Sequence, residues 1–215
     1  MSSVISPTIA PAIATVELPA TGFDVPPPTL WRFSVEEYEQ LGRLGVLTED
    51  DNVELLEGLI VKKMTKNPVH DWTIDFLNAV FSQQLPPGWI LRIQNALRTH
   101  DSEPEPDVVV AIGDFTSFRR QHPTGEQVSL VIEVAESSLD QDWRKCRIYA
   151  RAGVPVYWIV DLNSAWLEVF TQPNRQAGEY EQHVRLAAPG QATVQLSDTA
   201  PLVIDLQQLF PPAGE

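Results

Sequence analysis

The chain has 215 residues, 43% of them hydrophobic, and a formal net charge of −14 at pH 7. This length suits one domain with an extension, and the apolar fraction excludes a chain that is disordered throughout. The single cysteine, Cys146, excludes an internal disulfide and a cysteine-rich zinc site, and the acidic balance means that nucleic-acid binding would depend on locally concentrated basic residues.

The N-terminal stretch 1–29 carries six prolines, many small residues and two charges. We interpret it as a flexible Pro/Ala-rich tail that precedes a single domain at 30–210. The tail lacks a secretory signal, and no apolar run in the sequence approaches the ~20 residues that span a bilayer. We therefore expect a cytoplasmic protein without a membrane segment.

The rest of the sequence predicts helices and strands in alternation. Ser34 and Glu37 form a capping-box pattern that opens a first helix, and apolar residues at helical spacing predict two more, over 69–85 and 141–152. Apolar and alternating runs predict strands at 53–56, 59–64, 89–94, 108–112, 128–134, 156–160 and 167–170. One or two edge strands and a short helix ending near Phe210 complete an α/β protein with a mixed sheet.

Three carboxylates lie where apolar strands rarely place a charge. Asp107 and Glu133 lie at the ends of two predicted buried strands, and Glu54 lies in the first strand of a predicted hairpin. Unpaired buried charges are costly, so the three could cluster around a hard cation such as Mg²⁺ or Mn²⁺. Separate structural roles remain open, because Glu133 could pair with an arginine and Asp107 could cap the turn after Pro106.

Basic residues concentrate in the predicted helix that follows Glu133. Lys145 lies early in this helix, and its long side chain could reach back to the carboxylates. Arg144, Arg147 and Arg151 recur at helical spacing and could contact a DNA backbone. The alternative for all four is a solvated helix face.

An ordered series of motifs resembles a known family. The motifs are VELLEG at 53–58, His70, PEPDVVV at 104–110, LVIEV at 130–134, Ser137-Ser138, Lys145, Tyr149-Ala150 and GVPVYWIVD at 153–161. Together they resemble the Uma2 (Uma-two) family, a group of restriction-endonuclease-like proteins in the PD-(D/E)XK nuclease superfamily. The resemblance covers about residues 30–172.

The resemblance implies a restriction-endonuclease-like core, in which helices flank a central mixed sheet, and a metal-dependent endonuclease acting on DNA. Asp107 and Glu133 match the Asp and Glu that hold the metal, and Glu54 matches an additional acid. The superfamily places a lysine two residues after the Glu, where this chain has Ala135. Lys145 is the expected substitute, with a role in activating water or stabilising phosphate charge.

Two further residues and several functions remain as expectations. His70 could support a metal ligand or act as a base, or be a surface histidine, and Asp142 lies three residues before Lys145, where the family pattern implies four. Beside the Mg²⁺-dependent endonuclease, two alternatives stay open: a nuclease fold that no longer cuts and serves as a binding or regulatory module, and a hydrolase of other phosphate esters. By analogy with related nucleases, a homodimer is a further expectation.

Overall fold

A central sheet dominates the computed structural model, which describes residues 30–63, 67–136, 139–196 and 200–211. The described residues from Trp31 onward form one compact unit. The expected tail at 1–29 and the motif residues Ser137-Ser138 lie outside the described residues. In the described part of the chain, no helix has the length and apolar character needed to cross a membrane.

The helices and strands follow the predicted order. The α-helices are α1 Val35–Arg43, α2 Pro68–Ser82, α3 Leu139–Ala152 and α4 Leu206–Leu209. Short 3₁₀ helices occupy Glu49–Asp51 and Gly125–Gln127. The strands are β1 Val53–Leu56, β2 Leu59–Lys62, β3 Trp89–Ile93, β4 Val108–Ile112, β5 Val128–Ala135, β6 Val156–Asp161, β7 Trp166–Asn174, β8 Glu179–Leu186, β9 Gln191–Val194 and β10 Leu202–Asp205.

Six strands form a mixed sheet in the order β3-β4-β5-β6-β7-β8, while β1-β2 and β9-β10 form separate two-stranded sheets in the described chain. β5 and β6 are parallel and are joined by α3, since a parallel pair requires a crossover connection. The other neighbouring strands of the large sheet are antiparallel. The predicted α/β fold with a central mixed sheet is therefore confirmed.

Sequence patterns located most elements and missed part of the C-terminal region. α3 begins two residues before the predicted start, and α2 is Pro68–Ser82 rather than 69–85. The C-terminal region holds three strands, β8, β9 and β10, where one or two edge strands were expected. β8 is mostly exposed and polar, so it lacks the apolar alternation that identifies a strand in a sequence.

Side chains of the central strands alternate between two cores, as the period of two in a strand requires. On one face, Val108, Leu130 and Trp158 pack with Leu77 and Phe81 of α2, and residues of β9 and β10 join the same cluster. On the other face the buried cluster is Leu97, Val109, Ala111, Val128, Val131, Ala135, Tyr149, Val154, Tyr157, Ile159 and Phe170. The second face carries α3 and therefore Lys145.

A close backbone contact holds the C-terminal end of α3 beside the start of β5. At Gly125, in the 3₁₀ helix that precedes β5, a Cβ atom would lie 2.8 Å from the carbonyl carbon of Ala152 and closer still to its oxygen. Real Cβ atoms do not approach backbone this closely, so glycine is required here.

We expect Gly125→Ala to lower the free energy of unfolding by about 1–3 kcal/mol, because the backbone of α3 must shift to admit the methyl group. The matched control is Gly42→Ala in α1, where an added Cβ would meet nothing within 4 Å. This variant should raise the free energy of unfolding by about 0.5–1 kcal/mol. Denaturant unfolding of both variants measures the difference. Equal stability of Gly125→Ala and the parent protein would contradict this contact.

Candidate active site

The structure brings the four predicted catalytic residues together. Glu54 lies on β1, Asp107 directly before β4, Glu133 on β5 and Lys145 on α3. Their relative exposures are 1%, 7%, 4% and 5%, respectively. Four charged side chains buried at one place must compensate one another, since each would be costly to bury alone.

The register of the sheet places Asp107 beside Glu133. β4 and β5 are antiparallel with Val108 opposite Ile132, and this register, continued by one residue, sets Asp107 opposite Glu133. Directly opposed residues of antiparallel strands have their Cβ atoms ~4.5–5.5 Å apart on the same face. The two carboxylates that the motifs singled out are therefore neighbours.

Lys145 bridges two of the carboxylates. Its Nζ lies 3.1 Å from Oε1 of Glu54 and 3.1 Å from Oε1 of Glu133. Burial alone would lower the pKa of Lys145, but the charges of Glu133, Glu54 and Asp142 outweigh burial and raise this pKa above its usual value. The side chain is therefore a charged ammonium.

Glu133 receives a second donor from α3. The hydroxyl of Tyr149 donates to Oε1 of Glu133 at 2.6 Å. Burial raises the pKa of Glu133 well above its usual value, the charges of Asp142, Asp107 and Glu54 raise it further, and Lys145 opposes this. Tyr149 appeared in the motif series without a role, although its position four residues after Lys145 predicts that the two share a helix face.

Asp107 is held by three groups. Its Oδ2 accepts a hydrogen bond from the backbone N–H of Val134 at 2.9 Å and lies 3.2 Å from Nε2 of His70, while Nε2 of Gln94 donates to Oδ1 at 3.3 Å. Burial raises the pKa of Asp107, but the hydrogen bond and charge of His70, the Val134 N–H and the charge of Lys145 together bring it below its usual value.

Glu54 reaches the site from the separate β1-β2 hairpin. Nε2 of Gln141 donates to its Oε1 at 3.0 Å, and the backbone N–H of Glu105 donates to its Oε2 at 3.0 Å. The contact with Glu105 ties the hairpin to the segment that leads into β4, next to Asp107. Sequence reasoning did not identify Gln94 or Gln141, which lie outside the motifs, and it gave no role to Glu105, which lies within PEPDVVV.

The two supporting residues expected from the sequence lie at the site. His70 contacts Asp107 through its Nε2. Asp142 is 3% exposed, and its charge raises the pKa of both Glu133 and Lys145. Its backbone carbonyl accepts a hydrogen bond from Tyr157 at 2.9 Å.

The three arginines of α3 have different surroundings. Arg147 and Arg151 both pair with Glu57 at the β1-β2 turn, Arg151 through a contact of 3.2 Å. Arg144 is exposed and makes no ion pair within the described residues. Contact of all three with a DNA backbone stays a prediction, and two of them already neutralise a carboxylate.

The cluster offers oxygen donors of the kind that a hard divalent cation prefers. Carboxylate oxygens of Glu54, Asp107 and Glu133 are oxygen ligands of the right kind, and with Asp142 they outnumber the cationic Lys145. However, no three His, Cys, Asp or Glu side chains of the described chain are spaced to hold one ion together. The ammonium of Lys145 lies within ion-pair distance of two of the carboxylates instead.

The sequence model of the Uma2 family, whose description is "Putative restriction endonuclease", matches residues 35–207. The chain belongs to the Uma2 family. The family assignment made from the motifs is thereby confirmed, and the match extends beyond the expected limit near residue 172.

A solved structure shows the fold that the Uma2 match implies. It is described as "a putative nuclease belonging to DUF820" from Anabaena variabilis, and it matches with a TM-score of 0.59 at 17% sequence identity. The match covers 83% of this chain and 97% of the other. At this identity the likeness shows a shared fold. Among curated proteins, no match was found.

We expect the stabilities of Glu133→Gln and Asp107→Asn, relative to the metal-free parent, to change with pH in opposite directions. Because the folded pKa of Glu133 is raised, its contribution to stability is complete below the unfolded value of about 4.3 and is lost as pH rises through the folded pKa. Glu133→Gln avoids that loss, so its melting temperature should rise relative to that of the parent as pH rises.

The folded pKa of Asp107 is lowered, so its carboxylate stabilises the fold above the unfolded value of about 3.9, and this contribution is lost as pH falls through the folded pKa. Asp107→Asn should therefore be less stable than the parent at neutral pH, and acidification should close the gap. Thermal melts in EDTA across the acid-to-neutral range measure both trends. The same pH trend in both variants, relative to the parent, would contradict these assignments.

Proposed function

We propose that the chain is a Mg²⁺- or Mn²⁺-dependent endonuclease that hydrolyses phosphodiester bonds in DNA. The observation that carries this proposal is the buried ammonium of Lys145 beside Glu54 and Glu133, with Asp107 opposite Glu133. Membership of the Uma2 family supports nuclease chemistry.

Glu54, Asp107 and Glu133 would hold the ion. When bound, the ion polarises the scissile phosphate and lowers the pKa of a coordinated water. In the metal-free protein, backbone N–H groups hold Asp107 and Glu54, and Tyr149 holds Glu133. Because no three acids of the described chain are spaced to hold one ion, these carboxylates would have to shift toward the ion when it binds.

Lys145 would act as a hydrogen-bond donor and a positive charge. In the metal-free protein the charges of Glu133 and Glu54 raise its pKa, and a protonated amine donates hydrogen bonds. In the superfamily pattern the lysine follows the Glu by two residues and therefore lies on the same strand face. Here that position is Ala135, and the ammonium of Lys145 lies 3.1 Å from Glu133 instead. There it can stabilise charge that develops on the phosphate oxygens.

A second candidate function is a nuclease fold that binds or regulates without cutting. It is favoured by the double ion pair of Lys145, which competes with a cation for two of the three carboxylates, and by the net charge of −14. Binding of Mn²⁺ and DNA without cleavage of any DNA form would select it. Cleavage of small phosphodiesters but not of DNA would select a hydrolase of other phosphate esters.

We expect Lys145→Ala to reduce DNA cleavage by roughly 100-fold or more, the usual scale for loss of one group that stabilises transition-state charge. Binding of Mn²⁺, measured by calorimetry, should persist, because the variant removes a competing cation. The matched control is Arg144→Ala, which removes the neighbouring exposed charge and should cut within a few-fold of the parent. A Lys145→Ala protein that cuts as fast as the parent would contradict a catalytic role for the lysine.

A further inference from the structure

A cavity of about 1090 Å³ lies between α1 and the loop before the 3₁₀ helix at Gly125–Gln127. Its polar walls include Gln94, Glu103, Glu105, Arg119, Arg120 and His122. Its volume reaches the upper end of the ~300–1,000 Å³ typical of small-molecule sites. None of the residues to which the proposed chemistry is assigned lines it.

The cavity adjoins the candidate active site through two of its wall residues. Gln94 lines the cavity and donates to Oδ1 of Asp107 at 3.3 Å. Glu105 lines it as well, and its backbone N–H donates to Oε2 of Glu54 at 3.0 Å. A single wall residue would therefore separate a ligand in the cavity from each of two proposed catalytic carboxylates, Asp107 and Glu54.

Two buried polar atoms of the cavity walls lack partners. Glu103 is 7% exposed, and its Oε2 has no hydrogen-bond partner among the described residues; the same holds for Nδ1 of His122. Both atoms are enclosed, so a ligand would reach them only after the two side chains turn toward the cavity. Buried polar groups are nearly always satisfied, and an unmet one costs ~1–3 kcal/mol. Burial, and next the charge of Glu39, raise the pKa of Glu103 to about 7, and the charge of Arg98 opposes this.

Unpaired positive charge lies at the same cavity. Arg119 and Arg120 are exposed and make no ion pair within the described residues. Other cations of the cavity are neutralised, since Lys63 pairs with Glu105 at 2.6 Å and Arg98 pairs with Glu36 and Glu39. A ligand that complements this cavity must combine an anionic group with N–H donors.

We propose that the cavity receives one unpaired nucleotide of the substrate strand, with its phosphate on Arg119 and Arg120 and its base against Glu103 and His122. A nucleotide combines a phosphate with a planar base that carries N–H groups, which matches both unmet requirements. Acceptance by a carboxylate favours bases with an exocyclic amino group, such as cytosine and adenine, over thymine. This inference rests on the proposed nucleic-acid substrate.

A nearby aromatic ring supports a base rather than a phosphate alone. Phe118 lines the cavity, and the guanidinium of Arg92 lies 5.1 Å from its ring centroid. The cation over the ring restricts the orientation of Phe118. Single-stranded nucleic acids commonly bind where aromatic side chains accompany basic groups.

The test is fluorescence anisotropy with labelled oligo-deoxycytidine, oligo-deoxyadenosine and oligo-thymidine, in EDTA so that cleavage cannot contribute. The parent should bind the first two about 3–10-fold more tightly than oligo-thymidine. Glu103→Leu should abolish that preference without weakening oligo-thymidine binding, which also serves as its folding control. The double variant Arg119→Ala/Arg120→Ala should weaken binding of all three oligonucleotides at least 10-fold. The slope of log K against log salt concentration should become shallower by about 0.7 for each phosphate that the variant no longer neutralises.

The control variant is Arg175→Ala, whose exposed side chain lies outside this cavity, and which should bind all three like the parent. Equal affinity of the parent for the three oligonucleotides, tighter binding of duplex DNA, or an arginine double variant that behaves like the control would each overturn the inference. Cleavage with Mg²⁺ or Mn²⁺ is assayed separately. If these binding effects are absent while cleavage occurs, the nucleotide-binding role of the cavity is wrong and the nuclease proposal stands. If the binding effects are present and no cleavage occurs, only the nuclease proposal is rejected.

Discussion

The contacts of one buried ammonium join three separately formed parts of this protein. Lys145 belongs to α3, Glu133 to the central sheet and Glu54 to the β1-β2 hairpin. Burying a charge costs several kcal/mol unless its partners are in place, so removing one partner destabilises more than the pair itself contributes. The positions of helix, sheet and hairpin are thus linked through a single side chain, and the candidate site depends on all three.

The same contacts create a competition at the site. Acids that attract a divalent cation also repel one another, and the lysine relieves that repulsion where no ion is bound. The lysine therefore stabilises the metal-free fold, and it would oppose binding of the proposed ion through the same two carboxylates. Asp107 is different, because its partners are a backbone N–H and His70, and its pKa falls while that of Glu133 rises.

Sequence reasoning found those residues whose identity conflicts with their surroundings. Acids on apolar strands are conspicuous, so Asp107 and Glu133 could be singled out, and the α/β fold and the family followed from periodicity and motifs. Contacts between distant segments could not be found this way. Gln141 and Glu54 are 87 positions apart, and nothing in the sequence pairs Glu57 with Arg147. Such partners follow from strand register and helix placement, which local patterns do not encode.

The separate β1-β2 hairpin has a consequence for the dynamics of the molecule. Its two strands have four residues each and pair with one another rather than with the large sheet, and short isolated hairpins are only marginally stable in water. The hairpin is attached to the rest of the fold through Leu55, which pairs with Glu103, and through Glu54, which contacts Lys145 and the Glu105 N–H, so its local opening would break these contacts together. Opening of the hairpin would carry one carboxylate away from the cluster without global unfolding, so local breathing and occupancy of the site are thermodynamically coupled.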